Sequence, residues 1–264
     1  MGRIISIHSF RGGTGKSNLT ASLATTVACA GNRVAIVDTD IQSPGIHVLF
    51  GIKEDPERRC LNDFLWGRCK IEDAACDVTD ALPASNHGSA AALFLIPSSI
   101  KAGDIARILQ EGYEVSILSD GFLQLVKALA LDYLFIDTHP GVNEETLLSI
   151  AISDNLFVVL RPDHQDFQGT AVTVELARRL QVAEMALLVN KIPATMDMQG
   201  LREQVERVYQ TPVAGMFPLT MELVQVASSG VFSLRFPSHP FTAEIRGVAR
   251  RIMSGARVTE VVKG

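Results

Sequence analysis

Cysteine pairs, a basic excess and a long apolar run are all missing from this sequence of 264 residues. The four cysteines, Cys29, Cys60, Cys69 and Cys76, form no C-x-x-C pair and have no histidine at zinc-finger spacing. Neither a disulfide framework nor a structural zinc site is expected, and the thiols read as buried or incidental groups in a reducing cytosol. Lys and Arg number 24 against 29 Asp and Glu, a formal net charge of −5, which excludes a generally basic nucleic-acid binder. The longest wholly apolar run, Ala90 to Ile96, falls far short of the ~20 residues that span a bilayer. Ser, His and Arg interrupt the N-terminal MGRIISIHSFRGG, so no signal peptide is expected there and a soluble, cytoplasmic protein is.

What is present is a chain 47% hydrophobic and 20% charged, unlike a disordered one. Its length suits one α/β domain over residues 1–264, since doubly wound sheets often run to ~250 residues undivided. Short runs rich in Val, Ile and Leu predict strands at Ile4–Phe10, Val34–Asp38, Leu93–Pro97, Tyr133–Thr138, Leu156–Arg161, Ala186–Asn190 and Pro212–Phe217. Most are apolar at nearly every position, the pattern of strands buried on both faces. Helical periods fall between them at Lys16–Ala30, Gly121–Ala130, Glu144–Ile152, Ala171–Leu180, Gly200–Tyr209 and Phe241–Met253. This alternation predicts a mostly parallel, doubly wound sheet flanked by helices. The irregular stretch Gly51–Asn86 reads as helices and loops at one end of the sheet.

Between the first strand and first helix stands Gly12-Gly13-Thr14-Gly15-Lys16-Ser17, followed by Asn18. Glycines there let backbone N–H groups turn inward around a phosphate, which a Cβ would obstruct. Lys16 supplies a charge to the terminal phosphate oxygens, the Ser17 hydroxyl can ligate Mg²⁺, and the helix N-terminus adds its partial positive charge. The second strand ends Asp38-Thr39-Asp40, where open α/β sheets bind ligands. Asp38 is placed to hold the Mg²⁺ shell and Asp40 to orient an attacking water. Leu134-Phe135-Ile136-Asp137 has the Walker B form and makes Asp137 a second Mg²⁺-side carboxylate, with 138–143 as a γ-phosphate sensor. His139, a loop histidine, is given no catalytic role.

The segment R-G-G-T-G-K-S resembles the deviant loop K-G-G-x-G-K-S/T of the MinD/ParA family of P-loop ATPases, with Arg11 where that family carries a signature lysine. The resemblance extends through the D-x-D segment, Walker B, the strand end Val189-Asn190-Lys191 and Pro237-Ser238-His239-Pro240 before the last helix. It implies the P-loop NTPase fold and ATP with Mg²⁺ as cofactors. Gly12 to Asn18 would hold nucleotide, and Ser17, Asp38 and Asp137 the metal. Lys16, Asp40 and Arg11 would be the catalytic set, Arg11 acting on the phosphates of a second copy in an ATP-bound homodimer. In this family an asparagine at the position of Asn190 reads the adenine edge, for which a two-sided amide is suited, and Pro218 matches a loop lying against the base. Absence of an aspartate after Asn190-Lys191-Ile192 favours ATP over GTP. Family members position cellular cargo through a partner or activator protein. The final helix looks like a core helix and not a separate membrane anchor. Its basic residues Arg246, Arg250 and Arg251, with Arg257 and Lys263 beyond, form a cluster able to touch nucleoid DNA weakly through phosphates. Two alternatives remain open, a nucleotide-binding adaptor with little hydrolysis and a small-molecule ATP-dependent enzyme; an iron–sulfur carrier of the same superfamily would need paired cysteines, which the spacings of thirty-one, nine and seven do not supply.

Overall fold

In a computed structural model of the chain, the structure describes residues 2–53, 55, 57–86, 90–226 and 229–255. Strands β1 (Arg3–His8), β2 (Arg33–Asp38), β3 (Cys76–Asp77), β4 (Ala92–Ile96), β5 (Tyr133–Asp137), β6 (Asn155–Leu160), β7 (Glu184–Ile192) and β8 (Val213–Pro218) form one sheet. Their spatial order is β3-β4-β2-β5-β1-β6-β7-β8. Every pairing is parallel except that of β3 with β4. The helices are α1 (Lys16–Cys29), α2 (Ile46–Leu49), α3 (Leu61–Leu65), α4 (Ala102–Glu111), α5 (Ser116–Ala128), α6 (Glu144–Ala151), α7 (His164–Arg179), α8 (Met198–Tyr209), α9 (Met221–Val226), α10 (Phe232–Arg235) and α11 (Pro240–Ser254).

Alternating side chains divide the apolar strands between two faces. On one face Ile5, Ile7, Ile36 and Phe135 pack with Leu19, Leu23 and Val27 of α1 and with Phe241, Ile245 and Val248 of α11. On the other, Ile4, Val37, Leu134 and Ile136 meet Leu118, Phe122 and Leu125 of α5. Leu156, Val158, Leu187 and Val189 pack farther along the sheet with Val174 of α7 and Val205 of α8. Burial on both faces is what the continuous apolar runs anticipate.

Each predicted strand is present, with ends displaced by one or two residues. The region 51–86 departs from expectation: besides α3 and short 3₁₀ turns it supplies β3, an antiparallel edge strand. Helix α4 was not predicted. Helix α7 begins at His164, seven residues before its expected start, because Asp163 caps it through bonds from Gln165 N and Asp166 N. Helix α5 likewise begins at Ser116 instead of Gly121.

Parallel pairing brings the C-terminal ends of β2, β5 and β1 to one edge, with Asp38 opposite Asp137 and Asp137 opposite Ile7. The glycine-rich loop leaves β1 at that same edge.

Candidate nucleotide site

The loop between β1 and α1 depends on two glycines in the left-handed region, Gly13 at φ +75° and Gly15 at φ +92°. A side chain at position 15 would also collide, since its Cβ would lie 2.4 Å from Asn190 Nδ2. Neighbouring elements grip the loop by its carbonyls. Asn190 Nδ2 donates to Thr14 O at 2.7 Å, Lys191 Nζ to Gly13 O at 2.7 Å, and Gly141 N to Ser9 O at 3.1 Å. The N–H groups of Gly12, Gly13 and Gly15 donate to no acceptor among the described residues. A turn with its carbonyls engaged and its N–H groups spare is a cradle for an anion.

Behind the loop lies a buried charge cluster. Lys16 Nζ is 2.7 Å from Asp137 Oδ1, and the Thr20 hydroxyl donates to the same oxygen at 3.2 Å. Asp137 Oδ2 is buried without a partner. Asp38, fully buried beside it, accepts from Asp40 N at 3.1 Å and from Gly45 N at 3.2 Å. Burial and then the negative charge of Asp137 push the Asp38 carboxyl up to about 8, against the opposing pull of Lys16. Two buried carboxyl groups thus face one ammonium, which is paired with Asp137, and Asp137 Oδ2 is left orphaned. A divalent cation at this edge would relieve both conditions, so the residues fit Mg²⁺. Ser17, half-buried in the first turn of α1, follows Lys16 directly; Asn18 is half-buried beside it.

Asp40 accepts a bond from Ser43 N at 3.2 Å, and its Oδ1 lies 2.7 Å from Nδ1 of His139. The histidine without a role in the sequence therefore joins the segment after β2 to the segment after β5. His8, at the end of β1, is fully buried. Its Nδ1 is 2.8 Å from the Thr138 hydroxyl, which donates its own proton to Ile7 O at 3.1 Å. Its Nε2 is buried without a partner. Burial first, then the charges of Lys16 and His139, hold His8 down to about 3. Lys191, also unassigned from sequence, adopts φ +56° and reaches the loop from the end of β7. Its signal was adjacency to Asn190.

The expected residues do not all converge. Lys16, Ser17, Asp38, Asp137 and Asn190 gather around the loop, with the Asn190 Oδ1 buried and unpartnered. Arg11 turns away. Its guanidinium donates to Gln165 Oε1 and lies 4.0 Å from Asp166 Oδ1 at the start of α7, with the side chain 40% exposed. Pro218 is exposed at the end of β8, in register with Ile192 of β7. In α11, Arg246 donates to Pro237 O and Arg251 to Ala214 O; Arg257 and Lys263 lie outside the described residues. No helix among the described residues is long and apolar enough to cross a membrane.

Comparison with known proteins agrees with this geometry. An uncharacterised ATP-binding protein of Methanocaldococcus jannaschii is 26% identical over 262 residues, covering 98% of this chain and 90% of that protein. The MinD cell division protein of Aquifex aeolicus superposes with a TM-score of 0.78 at 21% identity, covering 96% of this chain and 97% of its own. A septum site-determining protein MinD of Pyrococcus horikoshii, solved with Mg-ADP, gives 0.76 at 18% identity over 99% and 100% of the two chains. Residues 1–253 match the ParA family profile described as NUBPL iron-transfer P-loop NTPase. With a nucleotide-type loop, paired strand-end acids and this match over nearly its full length, the chain belongs to the ParA family of P-loop NTPases.

Proposed function

We propose that the chain is a Mg²⁺-dependent ATPase whose nucleotide state controls pairing of two copies and, through that, the position of a cargo or partner protein. The single observation that supports it most is the loop's set of spare N–H groups, which leads directly into Lys16 and its pair with buried Asp137. Bound Mg²⁺, held by Ser17, Asp38 and Asp137, would supply the charge that offsets the terminal phosphates. Lys16 would exchange its Asp137 contact for the phosphate oxygens. Asp40 would accept a hydrogen bond from the attacking water, its carboxylate steadied by His139. Asn190 would keep one amide edge on the loop and offer its free oxygen on the nucleotide side.

To act on a second copy's phosphates, Arg11 must leave Gln165 and Asp166. Those contacts are partly exposed and therefore cheap to break. Without an inserted cation such an enzyme turns over at about 10⁻⁴ s⁻¹, and one supplied in trans adds ~10³–10⁵, so the protein acts as a timer. Sedimentation of the full chain with and without ATP, using Asp40→Ala to block turnover, tests this. A doubling of mass on ATP is expected, and an unchanged monomer would contradict it.

Membership of a family that includes iron-transfer P-loop NTPases supports a second reading, ATP-dependent carriage of an iron–sulfur cluster. Clusters are held by thiolates, whereas burial raises the thiols of Cys29, Cys69 and Cys76 and pushes Cys60 up to about 11. Anaerobic reconstitution with iron and sulfide separates the two: visible charge-transfer absorbance would favour carriage.

A further inference from the structure

A second cavity, of about 270 Å³, opens at the same sheet edge but beyond β4, away from the glycine-rich loop. Among the described residues its wall carries five cationic side chains, Lys53, Arg58, Arg59, Arg68 and Lys101, against three acids. This is an inversion of sign in a chain of net charge −5. The acids do not balance the cations. Asp63 alone serves two arginines, Arg59 at 3.9 Å and Arg68 at 3.4 Å. Asp55 lies 3.8 Å from Arg58, and Asp104 is engaged by the Ser99 hydroxyl at 2.6 Å. Lys53 and Lys101 have no carboxylate within ion-pair distance among the described residues. Cys60, also in the wall, stays protonated because burial raises its thiol, so it adds no negative charge. His47 lines the cavity too, and its buried Nδ1 has no partner.

We propose that this cavity binds a compact organic anion carrying two or more negative charges, a phosphomonoester or a polycarboxylate. Its volume is near the lower end of small-ligand pockets, and a few convergent cations fix orientation in such sites. The cavity also touches the segment that follows β2. The Ser98 hydroxyl donates to Asp38 O at 2.7 Å, Gly45 N donates to the Asp38 carboxylate, and α2, which carries His47, starts directly after Gly45. Occupancy is therefore sensed at Asp38. That coupling rests on the nucleotide reading above; binding itself does not.

The chain's one tryptophan is the reporter. Trp66 lies under the guanidinium of Arg68 at 4.6 Å and that of Arg107 at 4.5 Å, so an anion that draws Arg68 inward alters its emission. The full chain, saturated with Mg-ADP to occupy the glycine-rich loop, is titrated with phosphoglycolate, with tricarballylate, and with acetate as a monoanion control. Saturable fluorescence change with either polyanion, and none with acetate, is expected; which polyanion binds distinguishes the two chemistries. Arg59→Ala with Lys101→Glu, both at exposed positions, should weaken binding about tenfold or more while leaving the melting temperature unchanged. The saturable change should persist whether Mg-ADP is present or absent, which separates failure of this site from failure of the nucleotide reading. No saturation, equal affinity in the double variant, or displacement of the polyanion by Mg-ADP would overturn the proposal.

Discussion

Acid should destabilise this protein through His8, a residue no surface probe would notice. Its ring is fully buried, its Nδ1 lies 2.8 Å from the Thr138 hydroxyl, and its Nε2 has no partner. Protonation would therefore place a cation in the interior with its Nε2–H unanswered, near the charge of Lys16. The unfolded ring titrates near 6.5 and the folded one near 3. Between those values the unfolded chain binds the extra proton, so stability is highest above the upper value and falls as pH drops toward the lower one. The slope from this group alone is at most about 1.4 kcal/mol per pH unit, or roughly 2 kcal/mol between pH 6.5 and pH 5. That is a large part of the 5–15 kcal/mol typical of a whole domain. Urea unfolding of nucleotide-free wild type and His8→Gln, at several pH values from 7.5 down to 5, isolates the term. Glutamine keeps a polar amide for Thr138 but does not titrate, so the difference between the two curves follows His8, the groups not coupled to it cancelling. The wild-type curve should descend more steeply, the gap widening below pH 6.5. Parallel curves would refute the buried neutral imidazole.

Removing Lys16 should cost stability as well as nucleotide binding, since Asp137 would be left as an unpaired buried carboxylate. Urea denaturation of Lys16→Ala is expected to show a loss of about 3–5 kcal/mol. Phe10, which stands where a strict P-loop has its first glycine, lies over α7 so closely that a Cβ on Gly169 would sit 2.1 Å from its ring. Gly169→Ala should therefore destabilise by about 1–3 kcal/mol, and calorimetry should find weaker nucleotide binding as the loop shifts. By contrast, Gly247→Ala in α11 meets nothing within 4 Å and should stabilise by about 0.5–1 kcal/mol in the same assay.

The parts of this molecule that could be read from sequence are those with local causes. Strands such as Ile4–Ile7 and Leu134–Ile136 bury both faces, so their apolar continuity marks them directly. The loop is legible because Gly13 and Gly15 need backbone angles that other residues resist. Strand β3 spans only Cys76–Asp77 and has no room for a period to develop. Helix α4 carries Ile105, Ile108 and Leu109 at helical spacing, although only Ile108 of its ten residues is buried. The start of α7 was legible in principle, as Asp163 is an N-cap residue three positions before Asp166. Contacts such as His8 with Thr138, 130 residues apart, and Asp40 with His139, 99 apart, arise only when parallel pairing brings strand ends together. For the same reason the cationic cavity has no linear signature: Lys53–Arg68 and Pro97–Asp104 meet there only through β4.

On the proposed reading, the loop from Ser9 to Ser17 is an ATP cradle whose charge is completed by magnesium. Calorimetric titration of Mg-ATP into the nucleotide-free chain, repeated with EDTA and with Lys16→Ala, addresses it most directly. Saturable heat with one nucleotide per chain is predicted, weakened without the metal and abolished in the variant. Absence of heat in the wild type, or the same isotherm in Lys16→Ala, would contradict the account.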